Sequence, residues 1–146
     1  MTFYSRSKLV YAVPPSGLVG NIALKLFDKL AKSKGETFSE MLTRLAEESG
    51  EKNSAIYNRA QIDRQLFSKI KKNKNYQPSK DTAVALAFGL KLNFDKAKEF
   101  LASAGYTLTT STRDLIISFF IENEIFDTNQ LNNYLFEYKQ PILLER

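Results

Sequence analysis

This chain of 146 residues has no cysteine, no histidine and no tryptophan. Without cysteine there is no disulfide framework, and no thiolate to hold a metal or attack a carbonyl. Without histidine the commonest general base and metal ligand is missing. Carboxylates, serines and lysines remain, but most hydrolytic and zinc chemistries are disfavoured. Glycine is sparse, with six residues, and no phosphate-cradling glycine loop or paired-acid motif occurs. The clustered acids Glu47, Glu48 and Glu51 read as the surface of a helix. The expectation is therefore a protein that is not an enzyme and holds no metal or cofactor, with no small-molecule substrate evident. No apolar run approaches the ~20 residues that span a bilayer. The run at 9–13, behind Arg6 and Lys8, is too short for a signal-peptide core, so a cytoplasmic protein that does not engage membranes is expected.

What is present is a folded composition. The 43% of hydrophobic residues suffices for a real core in one domain, or in one domain with an appendage. The net charge of +5 is unevenly spread. Residues 52–80 hold eight basic side chains against one acid, whereas residues 36–51 hold five acids against one base, and residues 81–146 are also net acidic. A basic block between acidic neighbours is what a phosphate-facing surface looks like in sequence. A solvated lysine-rich face looks the same, so charge alone does not decide between them.

The block coincides with a two-helix element, NSAIYNRAQIDRQLFSKIKKNK, from Asn53 to Lys74. Helical periodicity predicts helices over 54–60 and 64–72, joined by Gln61-Ile62-Asp63. Asp63 is placed to cap the second helix by accepting from its first-turn amides. In that second helix Leu66, Phe67 and Ile70 share a burial face. Arg64, Gln65, Ser68, Lys69, Lys71 and Lys72 then point outward. Amide and guanidinium tips can read base edges, and lysines, as flexible point charges, suit phosphates better.

The remainder reads as helices. Lys8 to Val13 is β-prone and stopped by Pro14-Pro15. From Asn21 an apolar stripe through Ile22, Leu24, Leu26, Phe27 and Leu30 predicts an amphipathic helix that could pack on the body, mediate dimerisation or serve as a linker; docking on the body by its stripe is the favoured expectation. A helix from about Glu36 to Glu48 can be capped by Thr37 or Ser39, with Glu40 three residues after Thr37 in a capping box. Beyond the Pro78-Ser79 loop a fourth helix spans about 80–90, and a fifth, capped by Asn93, spans about 94–104 up to Gly105. After a polar linker at 107–111, helices over 113–123 and from Asp127 to about Tyr138 form a hairpin. Phe119 and Phe120 are expected in its core, and Asp127 and Gln130 in a second capping box. The apolar tail at 140–144 is expected to pack on this hairpin or on another subunit.

The order of these elements over 36–106 resembles a bacterial Xre-type, λ-repressor-like helix-turn-helix domain. The features that carry the resemblance are the leading helix, the two-helix element, Leu66-Phe67-Ser68-Lys69-Ile70, the Pro78-Ser79 loop and the Ala-Leu-Ala of the fourth helix. The stretch IDRQLFSKIKKNKNYQPSKDTAVALAFGLKL is similar to a subgroup found attached to unrelated N-terminal domains. The fold this implies is all-α: a five-helix bundle over 36–106, an N-terminal helical extension over 1–35 and a C-terminal helical hairpin over 107–146. The function it implies is sequence-specific binding of double-stranded DNA by a repressor-like transcriptional regulator, as a homodimer on palindromic sites. Carried over by position, Arg64, Gln65, Ser68 and Lys69 would face bases. Asn53, Ser54, Lys71, Lys72, Asn73, Lys74 and Tyr76 would touch the DNA backbone. Two positions depart from the family pattern. Tyr57 stands where a small residue is common, and Gln61 where the turn commonly has glycine, at a cost on the order of 1 kcal/mol for a left-handed non-glycine residue. These departures, with the apolar C-terminal unit, motivate a different reading: an interaction or assembly module that kept the fold without reading DNA. A third is binding of nucleic acid without sequence preference.

Overall fold

The computed structural model of the protein describes residues 19–32 and 35–144. The β-prone run at 8–13 lies outside them. Among the described residues there are eight helices and no strands: α1 (Asn21–Lys32), α2 (Phe38–Ser49), α3 (Asn53–Ala60), α4 (Arg64–Lys72), α5 (Lys80–Gly89), α6 (Phe94–Ser103), α7 (Thr112–Glu122) and α8 (Thr128–Glu137).

The helix starts follow local chemistry. Thr37 and Glu40 form the reciprocal capping box of α2, and Gly50, at φ 71°, ends that helix in left-handed geometry. Asp63 accepts from the Leu66 N–H at 2.7 Å to open α4. Ser79, Asn93, Ser111 and Asp127 do the same for α5, α6, α7 and α8. Each such cap satisfies an amide that would otherwise be orphaned, and is worth about 1 kcal/mol. At α8 the side chain of Asp127 caps the Gln130 N–H, which is the one half of the expected box that forms.

The packing centre is α5. Every residue from 82 to 89 is buried, and a helix with no solvent face must be enclosed by its neighbours. It packs against α3 and α6, while α2 bridges α4 and α6. The approach of α3 to α5 is close because both helices are small there. A Cβ on Gly89 would lie 2.6 Å from the Ile56 carbonyl oxygen and 2.9 Å from the Ala60 Cβ. Across the other side, the Phe38 and Phe100 rings of α2 and α6 stack with centroids 4.4 Å apart. Phe67, Phe88 and Phe100 are fully buried, and truncating any of them to alanine should cost about 3–5 kcal/mol.

The hairpin of α7 and α8 joins this body through α6 and through charges at the half-buried start of α5. Lys80 meets Asp114 at 2.7 Å, and the Arg113 guanidinium grips Asp81 with two bonds of 2.9 and 3.0 Å. Burial alone would raise the Asp114 carboxyl. The Lys80 ammonium and two hydrogen bonds from Thr109 outweigh it, so the group lies below its ordinary value. The tail packs back on the hairpin. Leu143 is buried and exchanges hydrogen bonds with the Asn132 side chain.

Two expectations are corrected. The apolar stripe of α1 is not docked: Ile22 is 84% and Leu26 50% exposed. Periodicity reports that a helix has an apolar side, not that a partner surface lies within reach. The Phe119-Phe120 pair is split, with Phe120 buried and Phe119 57% exposed. Adjacent helical residues lie about 100° apart, so a single helix face rarely buries both.

Candidate nucleic-acid interface

The second helix of the two-helix element, α4, is anchored from one side only. Phe67 and Ile70 are buried, and Leu66, expected with them, is half-buried. Positions 64, 68 and 72 recur every fourth residue, as do 65 and 69, so they fall on the opposite side. Arg64, Gln65, Ser68, Lys69 and Lys72 together line one shallow, open depression. Arg64, Gln65, Lys69 and Lys72 are exposed and Ser68 is half-buried. No ion pair among the described residues engages Arg64, Lys69 or Lys72. The Lys69 ammonium lies 6.0 Å from the centroid of the half-buried Tyr76 ring, at the outer limit of a cation–π contact.

The other lysines of the block have different surroundings. Lys71 is half-buried, with its ammonium 5.6 Å from the Phe67 ring centroid, so it does not simply point outward as the periodicity suggested. Lys74 pairs with Glu40 of α2 at 3.4 Å. The Thr37 backbone N–H above all, with Lys74 adding to it, holds the Glu40 carboxyl below its ordinary value. Lys71, Lys72 and Lys74 share a second depression with Glu40, Arg44 and Glu47 of α2. The acids of α2 thus offset the basic block along one flank of α4. Lys72 lines both depressions.

Asn53 and Ser54 form the first turn of α3. Among helices α2 to α8 this is the one whose N-cap, Lys52, makes no side-chain cap. Neither Asn53 nor Ser54 lines the Arg64–Lys72 depression. Asn73 caps the end of α4, and its side chain accepts from the Asn75 N–H at 3.1 Å.

Tyr57 lies half-buried against Phe67, ring centroids 5.5 Å apart. It fills the space between α3 and α4, and the small-residue contact of α3 is made instead by Ala60 against Gly89. Gln61 does adopt the left-handed geometry that glycine usually supplies, at φ 58° and ψ 38°. Its amide donates to the Asn129 side chain on α8 at 2.7 Å, and Thr128 donates to the Arg59 carbonyl at 3.4 Å. Arg59 in turn donates to the Gly89 carbonyl and pairs with Glu51 at 2.6 Å. Sequence reasoning missed Asn129 and Thr128, which lie more than sixty positions from the turn they hold. A non-glycine residue at the turn was the one available sign that something else would brace it.

Comparison with family models, with curated proteins and with solved structures found no significant match. The functional reading therefore rests on the residues of this chain.

Proposed function

We propose that this protein binds double-stranded DNA through the outward face of α4, most simply as a repressor-like transcriptional regulator. In this reading α2 to α6 form a λ-repressor-like, Xre-type helix-turn-helix domain, and two copies bind a palindromic site. The observation that carries the proposal is the depression lined by Arg64, Gln65, Ser68, Lys69 and Lys72. It offers guanidinium, amide and hydroxyl tips beside ammonium groups that form no ion pair among the described residues. Arg64 and Gln65, in the first turn of α4, are the lead base readers, with Ser68 and Lys69 one turn further on. Lys72 grips phosphate, and the uncapped first turn of α3 at Asn53 and Ser54 leaves amides for a phosphate oxygen. Lys71, Asn73, Lys74 and Tyr76 complete the backbone set, with Lys74 the weakest because it must first leave Glu40.

Binding would involve no chemistry. Lysines displace condensed counterions, so affinity should fall steeply with salt, while Arg64 and Gln65 discriminate among bases. Selection of bound duplexes from a random pool tests affinity, specificity and half-site symmetry together. Enrichment of a two-fold symmetric sequence supports the proposal, and recovery of an unenriched pool with salt-dependent binding would reduce it to non-specific nucleic-acid binding. The alternative of an assembly module without DNA reading is favoured by one feature, the neutralisation of Lys74 by Glu40. Absence of any salt-sensitive duplex binding would select it.

A further inference from the structure

We infer that the protein forms a reciprocal dimer in which α1 of each copy seats on the α7–α8 hairpin of the other. The inference deepens the proposed reading, in which two copies act together, by naming the contact between them, and it does not require DNA. Among the described residues two exposed apolar faces occur in the same molecule. The first is the stripe of α1, where Ile22, Leu26 and Phe27 are exposed. The second lies on the hairpin. Leu115 and Phe119, one turn apart on α7, and Tyr134 on α8 with Tyr138 at its C-cap are all exposed. Phe119 and Tyr134 both border the ring of Phe120, at centroid distances of 6.1 and 5.7 Å.

Charge matches the two faces to each other. Helix α1 carries three lysines against one aspartate, and Lys25 and Lys29 are exposed along the edge of its stripe next to Ile22 and Leu26. On the hairpin Arg113 and Asp114 are taken up by Asp81 and Lys80. What remains exposed there is Glu122, Glu124, Asp127 and Glu137 against Lys139. Glu122 follows Phe119 by three residues on the same helix face, and Glu137 stands beside Tyr134 and Tyr138. A basic amphipathic helix thus has an acid-rimmed aromatic seat, and both stay open within a single chain. A helix of three turns, about 18 Å long, covers a few hundred Å² per side, short of the roughly 1,200 Å² that stable complexes bury. Two reciprocal contacts reach that range, and the two-fold exchange closes on itself without leaving a free seat to polymerise.

The test uses the full chain in analytical ultracentrifugation without DNA. The parent is expected to be a dimer. One variant carries Lys25→Glu with Lys29→Glu, the other Glu122→Lys with Glu137→Lys; all four positions are exposed, so the fold is kept, which circular dichroism checks. Each variant alone should dimerise about tenfold more weakly or worse, because like charges now face each other at both contacts. An equimolar mixture should recover dimer, because the reversed helix of one variant meets the reversed seat of the other while the parent helix meets the parent seat, opposite signs at both contacts. A monomeric parent, a hairpin variant that associates like the parent, or a mixture no tighter than its components would overturn the inference.

Discussion

The two-helix element and the C-terminal hairpin are built on opposite plans. Helix α4 is held by apolar side chains from beneath and presents outward cations that have no ion-pair partner among the described residues. The hairpin is held partly by ion pairs at its root and presents aromatic rings with acids around them. Surface character alone would invite the conclusion that one is a binding face and the other a structural appendage. The attachments teach something else. The hairpin is a working part of the turn beside α4, because Asn129 and Thr128 bond to Gln61 and to the Arg59 carbonyl. Charge counted along the chain also overstates the first region, since Lys74 is neutralised by Glu40 and Lys71 is drawn over Phe67.

The sharpest way to break this comparison is at the root of the hairpin. Asp114→Ala leaves the half-buried Lys80 and the Thr109 donors without their partner and should cost about 1–3 kcal/mol, read by chemical denaturation. The same carboxylate has a lowered folded pKa, so its contribution is fully present above the unfolded value of about 3.9. It is lost as pH falls through the folded value, and acid titration should therefore loosen the hairpin below about pH 4. In Asp114→Asn that acid-sensitive component should be absent. Parent and variant losing stability with the same pH profile would remove Asp114 from this role.

The next test lies on α4. Arg64→Ala should weaken a selected cognate duplex by roughly 1–3 kcal/mol and relax preference at one base position. Equal loss on cognate and random duplexes would deny Arg64 a reading role. A smaller effect is expected at the turn. Gln61→Gly removes left-handed strain of on the order of 1 kcal/mol but also removes the bond to Asn129. The gain should be larger in an Asn129→Ala background, where that bond is already gone. The smallest effects distinguish the lysines. Lys72→Ala should reduce the slope of log affinity against log salt by about one, and Lys74→Ala by clearly less, because Glu40 already neutralises it.

How much of this was legible in the sequence depends on how local each interaction is. The all-helical class and the starts of α2, α4, α5, α6 and α8 were readable, because Thr37, Asp63, Ser79, Asn93 and Asp127 act within three residues. The outward set of Arg64, Gln65, Ser68, Lys69 and Lys72 was readable as one helix face. The central place of α5 was not, since an inward apolar face says that a segment packs on something but not that neighbours enclose it on every side. The open stripe of α1, the exposure of Phe119 and the pairing of Lys74 depend on surfaces far away along the chain. So does the contact between Gln61 and Asn129, which needs the whole body to bring the last helix back to the turn.

The ion pairs at the root of the hairpin have a further consequence through their order. Lys80 and Asp81 are neighbours, Arg113 and Asp114 are neighbours, and the pairs cross: Lys80 with Asp114 and Asp81 with Arg113. Sliding α7 by one residue along α5 would bring cation opposite cation or acid opposite acid. The crossed charges act as a two-toothed key. They add to cohesion and also reject the neighbouring alignments, so that a folding chain seats its last two helices in a single place.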